Sequence, residues 1–508
     1  MPRLRPIALL LAALPLAAAL HDPVRVQSGL LSGAAGSNAA VTVFKGIPFA
    51  APPLGDLRWR PPQPAATWEG VRHAAQFSAS CMQAPYPAGS LYRLPPEPLS
   101  EDCLYLNVWT AANSPGERRP VMVWVHGGGL TRGSGSARNY DGEELARQGV
   151  VLVTINYRLG VFGFLAHPDL TRESAHHSSG NYGFLDQVAA LEWVHGNIAR
   201  FGGDPNRVTI FGESAGSWSV NLLMATPLAK GLFQRVIAES GANFGPLQKL
   251  PAAEQAGASF ARSMGAGSLS ALRAKSAADL LAAPGPFPGT VFLGNVDGWV
   301  LPEEVRAIFA AGKQNDVPLL LGSNADEGTA FASPSMTPEL FRQQVSRRFA
   351  GRADALLKLY PAGSAQEALA SSAALTRDRT FGWEMRTWAR MQTRTGKFKA
   401  YLYYFSRVPP GPAGAVYGAY HASEITYVFH NLGLSDRPWE PVDRALSDAL
   451  SSYWVNFATN GGPNGQDLPQ WPAYDEKADL TMGLGDQIEV RPVPHKPALD
   501  FFDAWFSR

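Results

Sequence analysis

Short apolar runs rich in β-branched and aromatic residues alternate along the chain with longer stretches whose apolar positions recur at helical spacing. The runs at residues 41–44, 121–125, 150–155, 208–211, 235–238, 317–322, 401–405 and 488–491 predict strands. Residues 186–200 predict a helix, with Val188, Leu191, Val194 and Ile198 on one face and Gly202 and Pro205 closing it. A second helix is expected over 442–458, its face made by Leu446, Leu450, Tyr453, Trp454 and Phe457. Residues 241–318 are Ala-rich and helical in pattern, and a helical insertion spans about 337–397. The sum is a central sheet flanked by helices, with insertions placed where such folds build substrate pockets.

The run at 208–211 leads directly into Gly212-Glu213-Ser214-Ala215-Gly216 and then a helix-compatible stretch. This reads as a nucleophile elbow, a strand-to-helix turn that holds one serine hydroxyl out and tolerates only glycine at its flanks. Serine needs a base, an orienting carboxylate and an oxyanion hole before it attacks a carbonyl. His126-Gly127-Gly128-Gly129 follows the strand at 121–125, where backbone amides beside that of Ala215 would stabilise an oxyanion. Asn324-Ala325-Asp326-Glu327-Gly328 follows the strand at 317–322 and leaves both Asp326 and Glu327 open as the acid. Tyr420-His421-Ala422-Ser423-Glu424 follows the strand at 401–405 and supplies the base. The order serine, acid, histidine is that of α/β-hydrolases.

Further segments carry a resemblance over nearly the whole chain. They are Phe44-Lys45-Gly46-Ile47-Pro48-Phe49-Ala50, Glu101-Asp102-Cys103-Leu104-Tyr105-Leu106-Asn107-Val108 and Phe201-Gly202-Gly203-Asp204-Pro205, together with the glycine run, the elbow and Asp326-Glu327-Gly328. In these the chain resembles a type-B carboxylesterase, the cholinesterase-like branch of the α/β-hydrolases. The resemblance implies a large, mostly parallel central sheet with helical insertions forming the pocket. It also implies Ser214 as nucleophile, Glu327 as acid, His421 as base, and Gly128, Gly129 and Ala215 as oxyanion hole. Glu213 matches the family's buried acid near the leaving group, its other reading being an exposed elbow residue. Ser240 matches a serine that supports the histidine network, its other reading a capped strand end. His126 is expected to hold the glycine loop.

Composition narrows the partners. With 508 residues, 45% hydrophobic and 17% charged content, and a formal charge of +1, the chain can bury a large core and carries no basic footprint for nucleic acid. Arg3 and Arg5 precede an apolar stretch at 7–16 and the small residues Ala17-Ala18-Ala19, which predicts a signal peptide over 1–19 and an exported carboxylesterase domain over 20–508, secreted or periplasmic. That stretch is too short for a bilayer core about 30 Å thick. Stable membrane insertion is not expected, and the pattern does not read out oligomeric state.

Cys81 and Cys103 are the only cysteines and are expected to form a disulfide after export, the competing reading being two buried thiols. The resemblance adds that they close an Ω-loop in the active-site wall. Pro85, Pro87, Pro95, Pro96 and Pro98 in that loop argue against an amphipathic helical lid and tilt the reading from lipase to esterase. Two cysteines do not fill a metal tetrahedron, and the neighbouring His176 and His177 are expected to be solvated; no metal or organic cofactor is called for.

One departure bears on substrate. After the glycines stands Leu130-Thr131-Arg132-Gly133, where family members commonly carry an aromatic followed by small or uncharged residues. Arg132 is expected near the gorge wall, where it would pair with a carboxylate on a small-molecule ester, such as a tricarballylate ester of the fumonisin type. The other reading is a surface arginine bridged to a neighbour. Arg132, Glu213 and Tyr92 are thus the expected substrate-facing residues. A choline-site tryptophan has no counterpart in the loop, which disfavours choline esters. The competing classes are a catalytically inactive cholinesterase-like adhesion or binding protein, whose kind typically loses the serine or histidine, and a lipase.

Overall fold

The computed structural model describes residues 22–93, 95, 97–283 and 292–506; the expected leader at 1–19, and Pro96, lie outside them. The apolar runs lie side by side in a sheet of 11 strands. In chain order these are β1 (Ala34–Ala35), β2 (Thr42–Pro48), β3 (Tyr105–Thr110), β4 (Arg119–Val125), β5 (Val151–Ile155), β6 (Gly203–Glu213), β7 (Arg235–Glu239), β8 (Leu319–Asn324), β9 (Ala400–Phe405), β10 (Leu480–Leu484) and β11 (Ile488–Pro492). Across the sheet they run β11-β10-β9-β8-β7-β6-β4-β5-β3-β2-β1. Neighbours are parallel from β5 through β10 and antiparallel at both margins.

Two faces explain the continuous apolar runs. Val121, Val123 and Val125 of β4 point into one core, whereas Met122 and Trp124 point into another on the opposite side. A strand covered on both faces has no polar alternation to show. The first core is closed by α1 (Tyr182–Asn197) and α2 (Ala215–Ala225), and by helices of the insertion: α3 (Pro338–Arg348), α4 (Ala365–Thr376) and α5 (Trp383–Thr395). The second is closed by α6 (Pro441–Asn460), whose Leu446, Leu450, Tyr453, Trp454 and Phe457 are buried as their spacing implies.

Some boundaries differ from the pattern, for local reasons. β8 starts two residues later than expected because Pro318 has no N–H for the ladder. α1 starts at Tyr182, four residues early; Tyr182, Gly183, Phe184 and Leu185 are all buried, so no polar face marks that turn. α1 is locked by Asp186, which takes the Nε (2.8 Å) and Nη2 (2.7 Å) of Arg158 in a fully buried pair. Removing one partner of such a pair strands a charge in the core, at a cost of about 3–5 kcal/mol. Between α4 and α5 the helix widens into a π-turn at Arg377–Gly382, a distortion that re-aims side chains and recurs at functional sites. Among the described residues no helix is long and apolar enough to cross a membrane.

Candidate active site

The parallel strands bring their carboxyl ends to one edge of the sheet, and the sequence-predicted residues meet there. β6 ends at Glu213, α2 begins at Ala215, and Ser214 between them is held at φ 56° and ψ −119°. A non-glycine residue pays about 1–3 kcal/mol for such a conformation, so its surroundings must hold it. They do so with two hydrogen bonds: Ser214 N–H donates to the Glu239 carbonyl (2.8 Å), and its carbonyl accepts from Trp218 N–H (2.9 Å). The flanking glycines are required by space. A Cβ at Gly216 would sit 1.9 Å from the Val125 carbonyl oxygen, and one at Gly212 would sit 2.5 Å from the same atom.

The loop after β4 passes against the serine. A Cβ on Gly127 would come within 3.2 Å of the Ser214 Cβ, while Gly128 and Gly129 adopt φ 103° and 65°. Among the described residues neither Gly128 nor Gly129 donates its N–H to another carbonyl, and the amide of Ala215 opens a helix and lacks an intrahelical acceptor. His126 lies flat on Tyr157, 4.5 Å between ring centroids, and its Nδ1 bonds the Gly127 carbonyl at 2.8 Å. Burial pushes its pKa down to about 4, which keeps the ring neutral. The loop's far end is pinned to the disulfide loop by Gln83, which donates to the Gly133 carbonyl and accepts from its N–H, both at 2.8 Å.

His421 faces this pair from the loop after β9. Its Nδ1 lies 2.5 Å from Glu327 Oε2, and Glu327 Oε1 accepts the Asn324 N–H at 2.7 Å. The alternative acid, Asp326, turns away and accepts the Ala419 N–H at 2.8 Å. On its other side His421 Nε2 approaches Glu213 Oε1 to 3.0 Å without hydrogen-bond alignment. No hydrogen bond joins Ser214 Oγ to His421 among the described residues; such contacts commonly align only once substrate is bound.

Glu213 is buried, which resolves its two readings in favour of the interior, and it belongs to a group the sequence did not disclose. Glu239 and Glu424 are also fully buried nearby, Glu239 accepting Trp454 Nε1–H at 2.8 Å and Glu424 accepting the Asn324 side-chain amide. Burial, followed by the charges of Glu327 and Glu239, raises the Glu213 carboxyl well above its usual range. Burial raises Glu239 to about 8 and Glu424 well above the usual range. Neutral carboxyls can pack around one imidazole; ionised ones would repel each other. Ser240 donates its N–H to the Gly322 carbonyl (2.8 Å), and its buried hydroxyl has no hydrogen-bond partner among the described residues.

Aromatic rings wall the histidine. Phe381 of the π-turn and Phe331 stand 4.7 and 5.2 Å from it between centroids, and Tyr92 meets it edge-on at 6.4 Å and donates its hydroxyl to the His421 carbonyl at 3.2 Å. Cys81 and Cys103 are joined in a disulfide, and the loop they close presents Tyr92 and Tyr86. Arg132 is half-buried, its guanidinium 5.3 Å from the Tyr86 ring centroid and its Nε donating to the Ala84 carbonyl at 3.1 Å; among the described residues it has no carboxylate partner. His176 and His177 are exposed as expected, His176 also stacking on Trp299 with 3.7 Å between centroids. Phe331, Phe381, Glu239, Glu424 and Gln83 were missed by sequence reasoning, and only the position of Glu424, three residues beyond His421, offered a signal.

A mostly parallel sheet of this order, with a strained serine between a central strand and the helix that follows, defines an α/β-hydrolase. The chain belongs to the carboxylesterase family, whose model matches residues 21–502. It is 39% identical over 505 residues to a fumonisin B1 esterase of Sphingopyxis macrogoltabida, covering 94% of this chain and 89% of that one. It is 36% identical over 493 residues to a para-nitrobenzyl esterase of Bacillus subtilis (93% and 97% covered), and 37% identical over 508 residues to liver carboxylesterase 1 of Mus musculus (90% and 88%). The chain is a carboxylic ester hydrolase.

Proposed function

We propose that the chain is an exported serine esterase whose substrates carry free carboxylates near the scissile ester, of the tricarballylate type. The observation that carries the substrate reading is Arg132: a guanidinium beside the aromatic wall, with no carboxylate of its own among the described residues. Its Nε is engaged by Ala84, which leaves the two terminal nitrogens to take a carboxylate end-on. Similarity to a fumonisin B1 esterase supports the same reading.

In the proposed reaction His421 Nε2 takes the proton of Ser214 as Oγ bonds to the ester carbonyl carbon. The oxyanion accepts the amides of Gly128, Gly129 and Ala215. Glu327 holds Nδ1 and stabilises the imidazolium. The carbon–oxygen bond to the alcohol breaks as His421 returns the proton to it, leaving an acyl-enzyme. Water, deprotonated by His421, then releases the acid. Glu213, kept neutral by burial, stands beside Nε2 without adding a second negative charge. Export is supported by the leader-like pattern of residues 1–19 and by the disulfide, which persists in oxidising compartments.

The test is hydrolysis of paired esters, neutral aryl esters beside esters bearing free carboxylates, by wild type and Ser214→Ala. Preference for the anionic members, with the variant inert on all, supports the proposal. Wild type and variant equally inert would return the chain to a binding role, and a preference for neutral esters would remove the substrate assignment.

A further inference from the structure

The helical insertion contains a cleft of about 100 Å³ between α3, α4 and the π-turn. Its floor is apolar, with Phe341, Val345 and Phe349 buried in the core. Its rim carries two arginines, Arg348 at the last position of α3 and Arg379 in the π-turn, with Thr380 beside them. Among the described residues neither guanidinium forms an ion pair or donates a hydrogen bond to a protein group. Arg379 has the Phe506 ring on one side, 5.9 Å to the centroid. Glu384 is too far for an ion pair; it accepts the Phe244 N–H at 2.8 Å, and burial raises its pKa to about 8, so it is mainly neutral at pH 7.

Two cations thus line one concavity with no ion-paired carboxylate among the described residues. Burial, with the like charge of Arg348, lowers Arg379 to about 10 against a smaller opposing pull from Glu384. Two other arginines of the same insertion are matched by carboxylates: the buried Arg386 meets Asp479 and Asp500, and Arg390 meets Asp503. The cleft holds roughly three waters at ~30 Å³ each, the room one carboxylate or phosphate group needs.

We propose that this cleft is a binding site for an oxyanion, a carboxylate or a phosphate group, gripped by the forks of Arg348 and Arg379. Guanidinium pairs suit planar or tetrahedral oxyanions through parallel charge-assisted bonds. The apolar floor would accept the carbon stem of an organic acid. The site is separate from Arg132, and the π-turn that carries Arg379 also carries Phe381, which packs on His421.

Calorimetric titration of the full chain with inorganic phosphate and with tricarballylate, at constant ionic strength in chloride, tests this. Saturable binding of either anion is expected, with a component weakened roughly tenfold or more in Arg348→Ala and in Arg379→Gln and kept in Arg132→Ala, which removes only the separate tricarballylate component of the esterase pocket. Which anion saturates assigns the source. All heat lost in Arg132→Ala but kept in Arg348→Ala would place the anion in the esterase pocket and overturn the proposal, as would absence of saturation by both anions in wild type. Arg348 lies exposed at a helix end, so its variant keeps the test decisive should Arg379→Gln fail to fold.

Discussion

Replacing Arg132 by alanine should separate anionic from neutral substrates. In the structure its Nε is bound to the Ala84 carbonyl, so a substrate carboxylate meets only the two terminal nitrogens, through two parallel bonds. Hydrogen bonds to a charged partner are worth about 1.5–3 kcal/mol. Arg132 is only half-buried, and salt screens exposed charges over roughly 8 Å at 0.15 M, so the lower end of that range applies. The expected loss in kcat/KM is therefore about 10–30-fold for an ester bearing a free carboxylate. For a neutral aryl ester the ratio to wild type should stay within about twofold, because the guanidinium has nothing to pair with. Arg132→Lys keeps the charge and loses the fork, and should fall between the two. The assay is steady-state hydrolysis of a matched pair, a carboxylate-bearing ester and its methyl-capped analogue, at two salt concentrations; the penalty should shrink at high salt. Equal losses on both members would mean that the side chain acts through the Tyr86 wall and not through charge. An unchanged rate on the anionic member would end the assignment of Arg132 to substrate.

Other outcomes follow from the same geometry. Ser214→Ala and His421→Ala should each lower kcat by about 10⁴-fold or more, with little change in thermal unfolding for the serine variant. Gly216→Ala forces a Cβ to within 1.9 Å of the Val125 carbonyl oxygen, and should cost more than the ~1–3 kcal/mol of ordinary overpacking, read as a lower urea midpoint together with lost activity. Glu239 has its pKa raised from 4.5 to about 8 by burial, so the folded protein binds more protons than the unfolded chain between those values. Its contribution to stability is then present below pH ~4.5 and lost as pH rises toward ~8. Glu239→Gln, which can still accept the Trp454 N–H, should leave stability near wild type at pH 5 and raise it at pH 8, by an amount on the order of a few kcal/mol; equal effects at both pH values would contradict the assignment. Replacing Cys81 and Cys103 by serine should lower unfolding free energy by about 3 kcal/mol, and dithiothreitol should do the same to wild type but not to the variant.

The central strands β4 to β9 were legible because they are buried on both faces, which leaves a run of apolar residues; the mostly exposed β11 showed only the alternation of Ile488 and Val490 with charged residues, and the buried β3 and β10 were not read as strands. The elbow was legible because a serine held at positive φ against a neighbouring carbonyl leaves room only for hydrogen on either side, and Gly212 and Gly216 record that demand. The choice between Asp326 and Glu327 was not legible from residue chemistry, since both are carboxylates in one loop. It came from resemblance, and the fold separates the two by turning Asp326 toward Ala419 and Glu327 toward His421. The start of α1 was hidden because its first turn faces only protein.

By itself the sequence determined what is local: which runs extend, where the backbone must pass close to another strand, that the cysteines can pair in only one way, and in what order serine, acid and histidine occur. Tertiary structure alone decided which distant groups share a volume. Glu213, Glu239, Glu327 and Glu424 come from four segments, and they converge because parallel β6, β7 and β8 deliver their carboxyl ends to one edge while the loop after β9 folds back over it. Phe381 reaches His421 only because a π-turn rotates it there, and Arg348 and Arg379 share a cleft because α3 docks beside that turn. Local patterns record the conformation and burial that each segment requires. They hold no record of neighbours brought close by strand register and helix packing, and it is those neighbours that shift the carboxyl pKa values and bring two arginines to one cleft.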